Sequence, residues 1–360
     1  MRDEISTPHT PDAVMLRGFW YPALRSAQVR GTKLGKAMLL GVPLAVGRDR
    51  EGRAFALRDN CPHRGIPLSD GRFDGELVEC CYHGWKFEPH SGRCRHIPSL
   101  AEGQRLKVDR IVAGHFATEE HDGYIWVYMP EAGEEGEPPP APRLPLFGEK
   151  HRMTHLWADL DCNVDHGIIG LMDPAHGPFV HRAWWWRSGR SIHEKSKTFE
   201  PVEQGFRIRA HQPSSNSAPY KLLGIYGEPV TTTIEFRLPN VRFEQIRCGD
   251  LWFSSRTTVT PVTADRCRID VCAAWNVFRG VPFVMPVMRF FAKKFIRQDQ
   301  ETMAKQAAGL RYNPALLLID DADRPAKWYF QLKEAYLESR RTGVPFEHPI
   351  PEPVTLRWQS

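Results

Sequence analysis

Two short stretches, CPHRG at residues 61–65 and CCYHGW at residues 80–85, decide how this chain is organised. Each stretch contains a cysteine and a histidine within three residues of each other. Thiolates and imidazoles are side chains that bind zinc and iron in proteins. Two mixed pairs of this kind, close together in the sequence, therefore predict a metal centre in the N-terminal part of the chain.

The candidate ligands are Cys61, His63, Cys80 and His83. A structural zinc site usually combines a cysteine pair with a histidine pair or with a second cysteine pair. Here each pair mixes the two ligand types, which suits a two-iron cluster in which one iron takes both thiolates and the other takes both imidazoles. Zinc remains the alternative, and by spacing alone Cys81 could replace Cys80.

The residues around these ligands, including the glycines and Trp85, resemble the two cluster-binding loops of the Rieske non-haem iron oxygenases. The resemblance covers residues 18–130 and implies a Rieske domain that holds a [2Fe-2S] cluster. In that family the second cysteine ligand lies three residues before the histidine, which selects Cys80. We interpret Cys81 as a neighbour of the cluster and Cys94 as a core residue.

The hydrophobic pattern along the chain predicts two domains that differ in secondary structure. Short apolar runs and turns over the first 130 residues predict a small antiparallel β domain, with YIWVYMP at residues 124–130 as a strong strand. The acidic, proline-rich residues 131–145 predict a linker, and residues 146–360 predict a mixed α+β domain. Within this domain we expect β structure, then two helices, at residues 196–277, 287–311 and 324–341.

A second candidate metal site lies in LMDPAHGPFVHR, residues 171–182, where Asp173, His176 and His181 are closely spaced. A set of two histidines and one carboxylate is the facial triad of non-haem Fe(II) oxygenases, which leaves positions open for oxygen. The stretch resembles the catalytic domain of the same oxygenase family. The resemblance implies a helix-grip-like α+β domain with a mononuclear Fe(II). The pattern along the chain predicts helix over much of residues 163–182.

The family implies a role for each residue of this second motif. His176 and His181 would bind the iron, and Asp173 would be the bridging carboxylate between His176 and a cluster histidine of a neighbouring subunit. The third iron ligand is a carboxylate further along the chain. Since FIRQDQETMAKQ resembles the family's segment around it, we assign Asp299, with Glu301 as the alternative.

The chain departs from the family a few residues before the bridging aspartate. Relatives often carry an amide or a carboxylate there, whereas this chain has Ile169 and Gly170. Asp165 and His166 lie further back, and His166 is spaced to share a helix face with Asp173. Whether either residue lines the site is left open by the sequence.

The electron supply is implied to be external, because the sequence contains no dinucleotide-binding fingerprint. A separate ferredoxin or reductase would donate the electrons. The family also implies a head-to-tail homotrimer, in which each cluster serves the iron of the next subunit. Basic residues close to the cluster motifs would attract an acidic donor: Arg64, Arg72, Lys86, Arg93 and Arg95.

Composition places the protein among ordinary globular chains, with 41% hydrophobic residues and a net charge of +5 over 360 residues. This balance, without a basic block, argues against a nucleic-acid partner. The N-terminus lacks the apolar region of a signal peptide, and the most apolar stretch, residues 281–292, is too short to cross a bilayer. We therefore expect a cytoplasmic protein, with a peripheral membrane contact where cations interrupt residues 281–295.

Many large apolar residues in the catalytic domain suit a roomy pocket, and equally an ordinary core: Trp184, Trp185, Trp186, Leu222, Leu223, Ile225, Phe283, Met285, Met288, Phe290 and Phe291. The sequence looks most like the branch of pheophorbide a oxygenases and bacterial sterol C-4 demethylase oxygenases. We therefore expect a monooxygenase acting on a bulky hydrophobic ring, with a sterol C-4 methyl group as the best candidate. The alternatives are an aromatic-ring hydroxylase or O-demethylase on a smaller aromatic acid, and an electron carrier with a binding domain.

Overall fold

The computed structural model describes residues 14–181, 192–213, 228–277 and 284–360. The chain divides into two compact units, one formed by Arg17–Arg143 with Pro261–Thr263, the other mainly by Leu144–Thr260 and Ala264–Ser360. The second unit therefore begins within the stretch predicted to be a linker. The bounds 18–130, 131–145 and 146–360 stay predictions.

The first unit is built from short strands: β1 Phe19–Arg25, β2 Gly35–Leu39, β3 Val42–Arg48, β4 Ala54–Arg58, β5 Arg72–Phe73, β6 Val78–Glu79, β7 Lys86–Phe87, β8 Cys94–His96, β9 His115–Phe116, β10 Thr118–His121 and β11 Tyr124–Met129. They form three sheets, in the orders β1-β11-β10, β2-β3-β4-β9 and β5-β6-β7-β8. Neighbouring strands in each sheet run antiparallel. This confirms the predicted antiparallel β domain.

Burial explains why the first unit folds where it does. Every residue of β11 is buried, as its aromatic and β-branched composition predicts for a central strand. A second core lies around the candidate cluster loops and includes Phe55, Phe73 and Phe87. Cys94 belongs to this core with 1% of its surface exposed, which confirms its interpretation as a core residue.

The second unit combines a large sheet with helices: β12 Arg152–Leu160, α1 Val164–Met172, α2 Gly177–Val180, β13 Glu194–Val202, β14 Gly205–His211, β15 Thr231–Arg237, β16 Val241–Cys248, β17 Leu251–Thr263, β18 Arg266–Trp275, α3 Val284–Leu310, α4 Arg324–Thr342 and β19 Val354–Gln359. Within the described residues the sheet has eight strands in the order β12-β18-β17-β16-β15-β14-β13-β19. The predicted helices correspond to α3 and α4, so the α+β prediction is confirmed.

Helix α4 packs on one face of this sheet through aromatic side chains. The Trp328 ring lies 5.5 Å from the rings of both Phe199 and Phe206, and Tyr329 meets Phe236 edge-on at 5.8 Å. Burying such large rings removes much apolar surface from water, at roughly 25 cal/mol per Å². The sheet and α4 therefore pack closely together, and α1 contacts α4.

Candidate metal centres

The first candidate loop, between β4 and β5, closes on itself through backbone hydrogen bonds. The Cys61 N–H donates to the carbonyl oxygen of Ile66 at 2.9 Å, and the Gly65 N–H donates to the carbonyl oxygen of Cys61 at 2.8 Å. Gly65 has φ +74°, a left-handed conformation that glycine adopts without a Cβ clash. The loop therefore turns back within six residues and fixes Cys61 at its base.

The second candidate loop, between β6 and β7, repeats this geometry. The Cys80 N–H donates to the carbonyl oxygen of Trp85 at 2.8 Å, and the Gly84 N–H donates to the carbonyl oxygen of Cys80 at 3.0 Å. Gly84 has φ +68°. Cys80 thus occupies the position equivalent to Cys61 and is buried, whereas Cys81 is exposed. This parallel supports the choice of Cys80 over Cys81.

The two loops bring together like donors. The Cys61 and Cys80 thiols interact with each other, and the imidazole rings of His63 and His83 lie with centroids 4.5 Å apart. Burial and the neighbouring Cys80 thiol together raise the pKa of Cys61 to about 11, against the opposite effect of the nearby N–H groups of His63 and Arg64. A metal that binds these sulfurs would displace their protons.

The donors fit a two-iron cluster better than a single zinc ion. Among the described residues, the buried Nδ1 atom of His63 has no hydrogen-bond partner, a cost that ligation would remove, and the ring of Trp85 stacks on His63 at 4.5 Å. Within the residues described, no three of the four donor atoms lie within 4.8 Å of one another, as the ligands of one ion would. Paired thiols and paired imidazoles match one iron each.

The second candidate site begins where α1 ends. Pro174 restricts the residue before it to an extended conformation, so α1 stops at Met172 and Asp173 has φ −64° and ψ 118°. The Asp173 carboxylate accepts the Ala175 N–H at 2.7 Å, which turns the chain back. The sequence Asp-Pro therefore breaks the predicted helix over residues 163–182 into α1 and α2.

His176 and His181 flank α2, and α3 supplies a carboxylate between them. The Nε2 atoms of the two histidines are 3.3 Å apart, and the Asp299 Oδ1 atom lies 3.2 Å from Nε2 of His181 and 4.0 Å from Nε2 of His176. All three donor atoms lie within 4.8 Å of one another. The structure thus brings together the three residues that the sequence nominated as iron ligands; their role as ligands stays a prediction.

Each histidine is oriented through its other ring nitrogen. The His176 Nδ1 atom lies 2.9 Å from the carbonyl oxygen of Asp173, and the His181 Nδ1 atom lies 3.2 Å from Oε1 of Gln298. Since both acceptors are oxygens, each Nδ1 carries the proton and each Nε2 presents its lone pair. The sequence analysis missed Gln298, whose only signal was its position beside Asp299.

The donor set fits a mononuclear Fe(II), because two imidazoles and one carboxylate leave coordination positions open. Glu301, the alternative to Asp299, does not join the group. Its side chain is 54% exposed and pairs with Arg297 at 2.9 Å, one helical turn away on α3. The geometry therefore favours Asp299.

Asp173, the predicted bridging residue, contacts His176 mainly through its backbone. The carboxylate Oδ2 atom lies 3.6 Å from the Nδ1 atom of His176, beyond hydrogen-bonding distance. A second carboxylate, Asp323, is close enough to be affected: burial raises the pKa of Asp323, and the charge of Asp173 raises it further. The sequence analysis did not identify Asp323.

The residues at the start of α1 have a structural role. Asp165 is fully buried, accepts the Tyr329 hydroxyl at 2.5 Å, and pairs with the Lys333 ammonium at 2.7 Å. This network ties α1 to α4. His166 is also buried, which lowers its pKa, and its Nδ1 atom has no partner in the described residues.

Comparison with known proteins shows the family. Residues 19–112 match the Rieske [2Fe-2S] domain, and residues 160–341, half of the chain, match the vanillate O-demethylase oxygenase C-terminal domain. The chain therefore belongs to the Rieske non-haem iron oxygenases. The cofactors of that family, a [2Fe-2S] cluster and a mononuclear iron, are those that the sequence predicted.

Individual relatives cover only part of the chain. It is 36% identical over 176 residues to chlorophyllide a oxygenase of Chlamydomonas reinhardtii, covering 48% of this chain and 25% of that protein. It is 33% identical over 174 residues to the oxygenase component of dicamba O-demethylase of Stenotrophomonas maltophilia, covering 47% of this chain and 48% of that protein. The structure of dicamba monooxygenase bound to dicamba has a similar fold, with TM-score 0.69, 23% identity, and coverage of 90% of this chain and 99% of that chain.

Proposed function

We propose that the chain is the oxygenase component of a system that uses O₂ and externally supplied electrons to oxidise a ring substrate. The observation that carries the proposal is the convergence of His176, His181 and Asp299, with each imidazole oriented by an oxygen acceptor. When bound, the cluster would deliver single electrons and the iron would activate oxygen. An electron carrier with a binding domain would need the cluster loops only, so this convergence argues against it.

The proposed electron donor is a separate acidic ferredoxin or reductase. Two of the five predicted basic residues are paired with acids of the same domain, Lys86 with Glu79 and Arg95 with Glu88. Arg64, Arg72 and Arg93 are exposed. A smaller attractive surface than the sequence predicted therefore remains, and the rate of reduction should still fall as salt screens it.

A homotrimer remains part of the proposal. The exposed ring of Tyr82 lies 3.9 Å from that of His83, and Phe179, between the two candidate iron ligands, is 55% exposed. An interface between one subunit's cluster loops and the next subunit's α2 would cover these rings. The mass of the purified assembly in solution tests the trimer.

The proposed substrate is a bulky hydrophobic ring system, with a sterol C-4 methyl group as the best candidate. The support is the sequence resemblance and the similarity to chlorophyllide a oxygenase, whose name gives chlorophyllide a as its substrate. The structure does not describe the side chains of most residues nominated for the pocket: Trp184, Trp185, Trp186, Leu222, Leu223, Ile225, Phe283, Met285 and Met288.

A smaller aromatic acid is the second candidate, favoured by the match to the vanillate O-demethylase oxygenase C-terminal domain. Arg242 lies opposite Phe236 in the register of β15 and β16, so both side chains share the face on which α4 packs. Arg242 pairs with Glu244 at 3.0 Å on this face. Because Glu244 already pairs with this guanidinium, a substrate carboxylate would bind Arg242 only by replacing Glu244.

One assay separates the candidates. Purified protein with a surrogate reductase is offered 4-methylated sterols and vanillate-like acids, and oxygen-dependent products are measured by mass spectrometry. Turnover of sterols alone supports the bulky substrate, since an uncharged ligand gains mainly by leaving water. Turnover of the acids alone contradicts the sterol proposal, and turnover of neither under full cofactor loading contradicts both.

We also propose that the start of α3 rests on a membrane surface that supplies the substrate. Val287 and Phe290 are 51% and 66% exposed, and the neighbouring cations Arg289, Lys293 and Lys294 are exposed too. Exposed apolar side chains flanked by cations suit the surface of an anionic bilayer. No helix in the described residues is long and apolar enough to span a bilayer.

Vesicle flotation tests this contact. The protein should float with vesicles that contain anionic phosphatidylserine and remain unbound with zwitterionic vesicles, and Phe290→Ser should reduce flotation. Tyr312→Ser, at a ring that is 92% exposed elsewhere on the surface, is the matched control. Equal flotation of Phe290→Ser and the unchanged protein would contradict the contact.

A further inference from the structure

Helix α3 holds His181 on three sides. The ring of Phe295 stacks on the imidazole with centroids 3.5 Å apart and an interplanar angle of 16°. Gln298 Oε1 lies 3.2 Å from Nδ1, and Asp299 Oδ1 lies 3.2 Å from Nε2. The three residues are spaced i, i+3 and i+4, so they share one face of α3.

The two candidate iron histidines are therefore oriented in different ways. His176 donates to a backbone carbonyl of its own loop, which no side-chain substitution removes, and its side chain is 26% exposed. The His181 side chain is 2% exposed, so water has little access to its Nδ1 atom. Without Gln298, the buried Nδ1–H would lose its described acceptor.

We propose that Gln298 is a positioning residue that fixes the protonated Nδ1 of His181 and so presents Nε2 to the metal. This inference rests on the proposed metal site of His176, His181 and Asp299. Because an amide oxygen accepts but does not ionise, Gln298 selects one tautomer while leaving the charge of the site unchanged. The same turn of α3 thus supplies the candidate ligand Asp299 and, through Gln298, orients the candidate ligand His181.

The test compares variants that keep or remove the acceptor. Gln298→Leu has a similar size and no acceptor, so its Fe(II) dissociation constant should rise by about 10–100-fold. Gln298→Glu keeps an acceptor and should bind Fe(II) within a few-fold of the unchanged protein. The measurement is anaerobic competition between the holoprotein and a chromophoric Fe(II) chelator, with labile sulfide recording the cluster separately.

Glu301→Gln is the matched control, since it lies on the same helix, outside the donor group, and should leave Fe(II) affinity unchanged. Loss of packing alone would weaken Gln298→Leu and Gln298→Glu equally, which would overturn the proposal. Native affinity in Gln298→Leu would also overturn it. If the unchanged protein held no Fe(II) beyond its cluster, the proposed metal site itself would be wrong, which is a distinguishable result.

Discussion

The two candidate metal centres are built in opposite ways. The cluster loops are two short segments with the same backbone hydrogen bonds, each closed by its own residues and a glycine. The mononuclear site joins His176 and His181, beside α2, to Asp299 on α3, more than a hundred residues away in sequence. The cluster loops therefore depend on local turns, whereas the mononuclear site exists only when α3 packs against α2.

This difference predicts which substitutions should disturb each metal centre. A substitution in a cluster loop should affect that centre alone, since its geometry is local. A substitution that disturbs the packing of α1, α3 or α4 should affect the mononuclear site even at a distance. The following predictions test the contrast from the largest expected effect to the smallest.

Cys80→Ser should remove the cluster and abolish turnover, because it removes one of the two paired, buried thiols. Cys81→Ser should leave the cluster nearly intact, because Cys81 is exposed. The unchanged protein should contain about three irons and two labile sulfides per chain. Iron, sulfide and the spectrum of the reduced cluster are measured on both variants, and exchanged outcomes would show that the ligand assignment is wrong.

Asp299→Ala should remove one iron per chain, leave labile sulfide unchanged, and abolish turnover, because it removes the carboxylate that joins the two imidazoles. Glu301→Ala is the control on the same helix and should retain iron and turnover. Metal analysis of the two proteins checks this. Loss of iron in the Glu301 variant alone would transfer the ligand role to that residue.

Asp173→Asn should keep both metals and reduce turnover by about 10–100-fold. The asparagine oxygen can still accept the Ala175 N–H, and the backbone carbonyl that orients His176 is unchanged. The substitution therefore removes the negative charge with little change of geometry. Metal content and single-turnover rates are measured, and a near-normal rate would contradict the proposed bridging role.

Lys333→Met should have the smallest direct effect on the chemistry and a large effect on stability. It leaves the buried Asp165 carboxylate without its cation, which costs about 3–5 kcal/mol in comparable pairs. Denaturant unfolding measures the loss, and Fe(II) retention should fall with it while labile sulfide remains. The double variant Asp165→Asn with Lys333→Met should recover part of the stability; failure to recover any would show that the two side chains do not act as a pair.

The two metal centres also differ in how many of their residues could be predicted from the sequence alone. Cys61, His63, Cys80 and His83 were recognisable because, in each of the two loops, the cysteine, the histidine and the glycine lie within six residues of one another. Asp173, His176 and His181 were recognisable because they lie within nine residues of one another. Asp299 was nominated by resemblance, since a single carboxylate on a helix carries no local signal.

The sequence by itself determined the two metal motifs and the order of a β domain and an α+β domain. These features follow from ligand chemistry and hydrophobic periodicity, both of which act over a few residues. Only the tertiary structure decided that Gln298 contacts His181 and that Asp165 pairs with Lys333. The partners lie 117 and 168 residues apart, and such contacts depend on how α1, α3 and α4 pack, which no local pattern encodes.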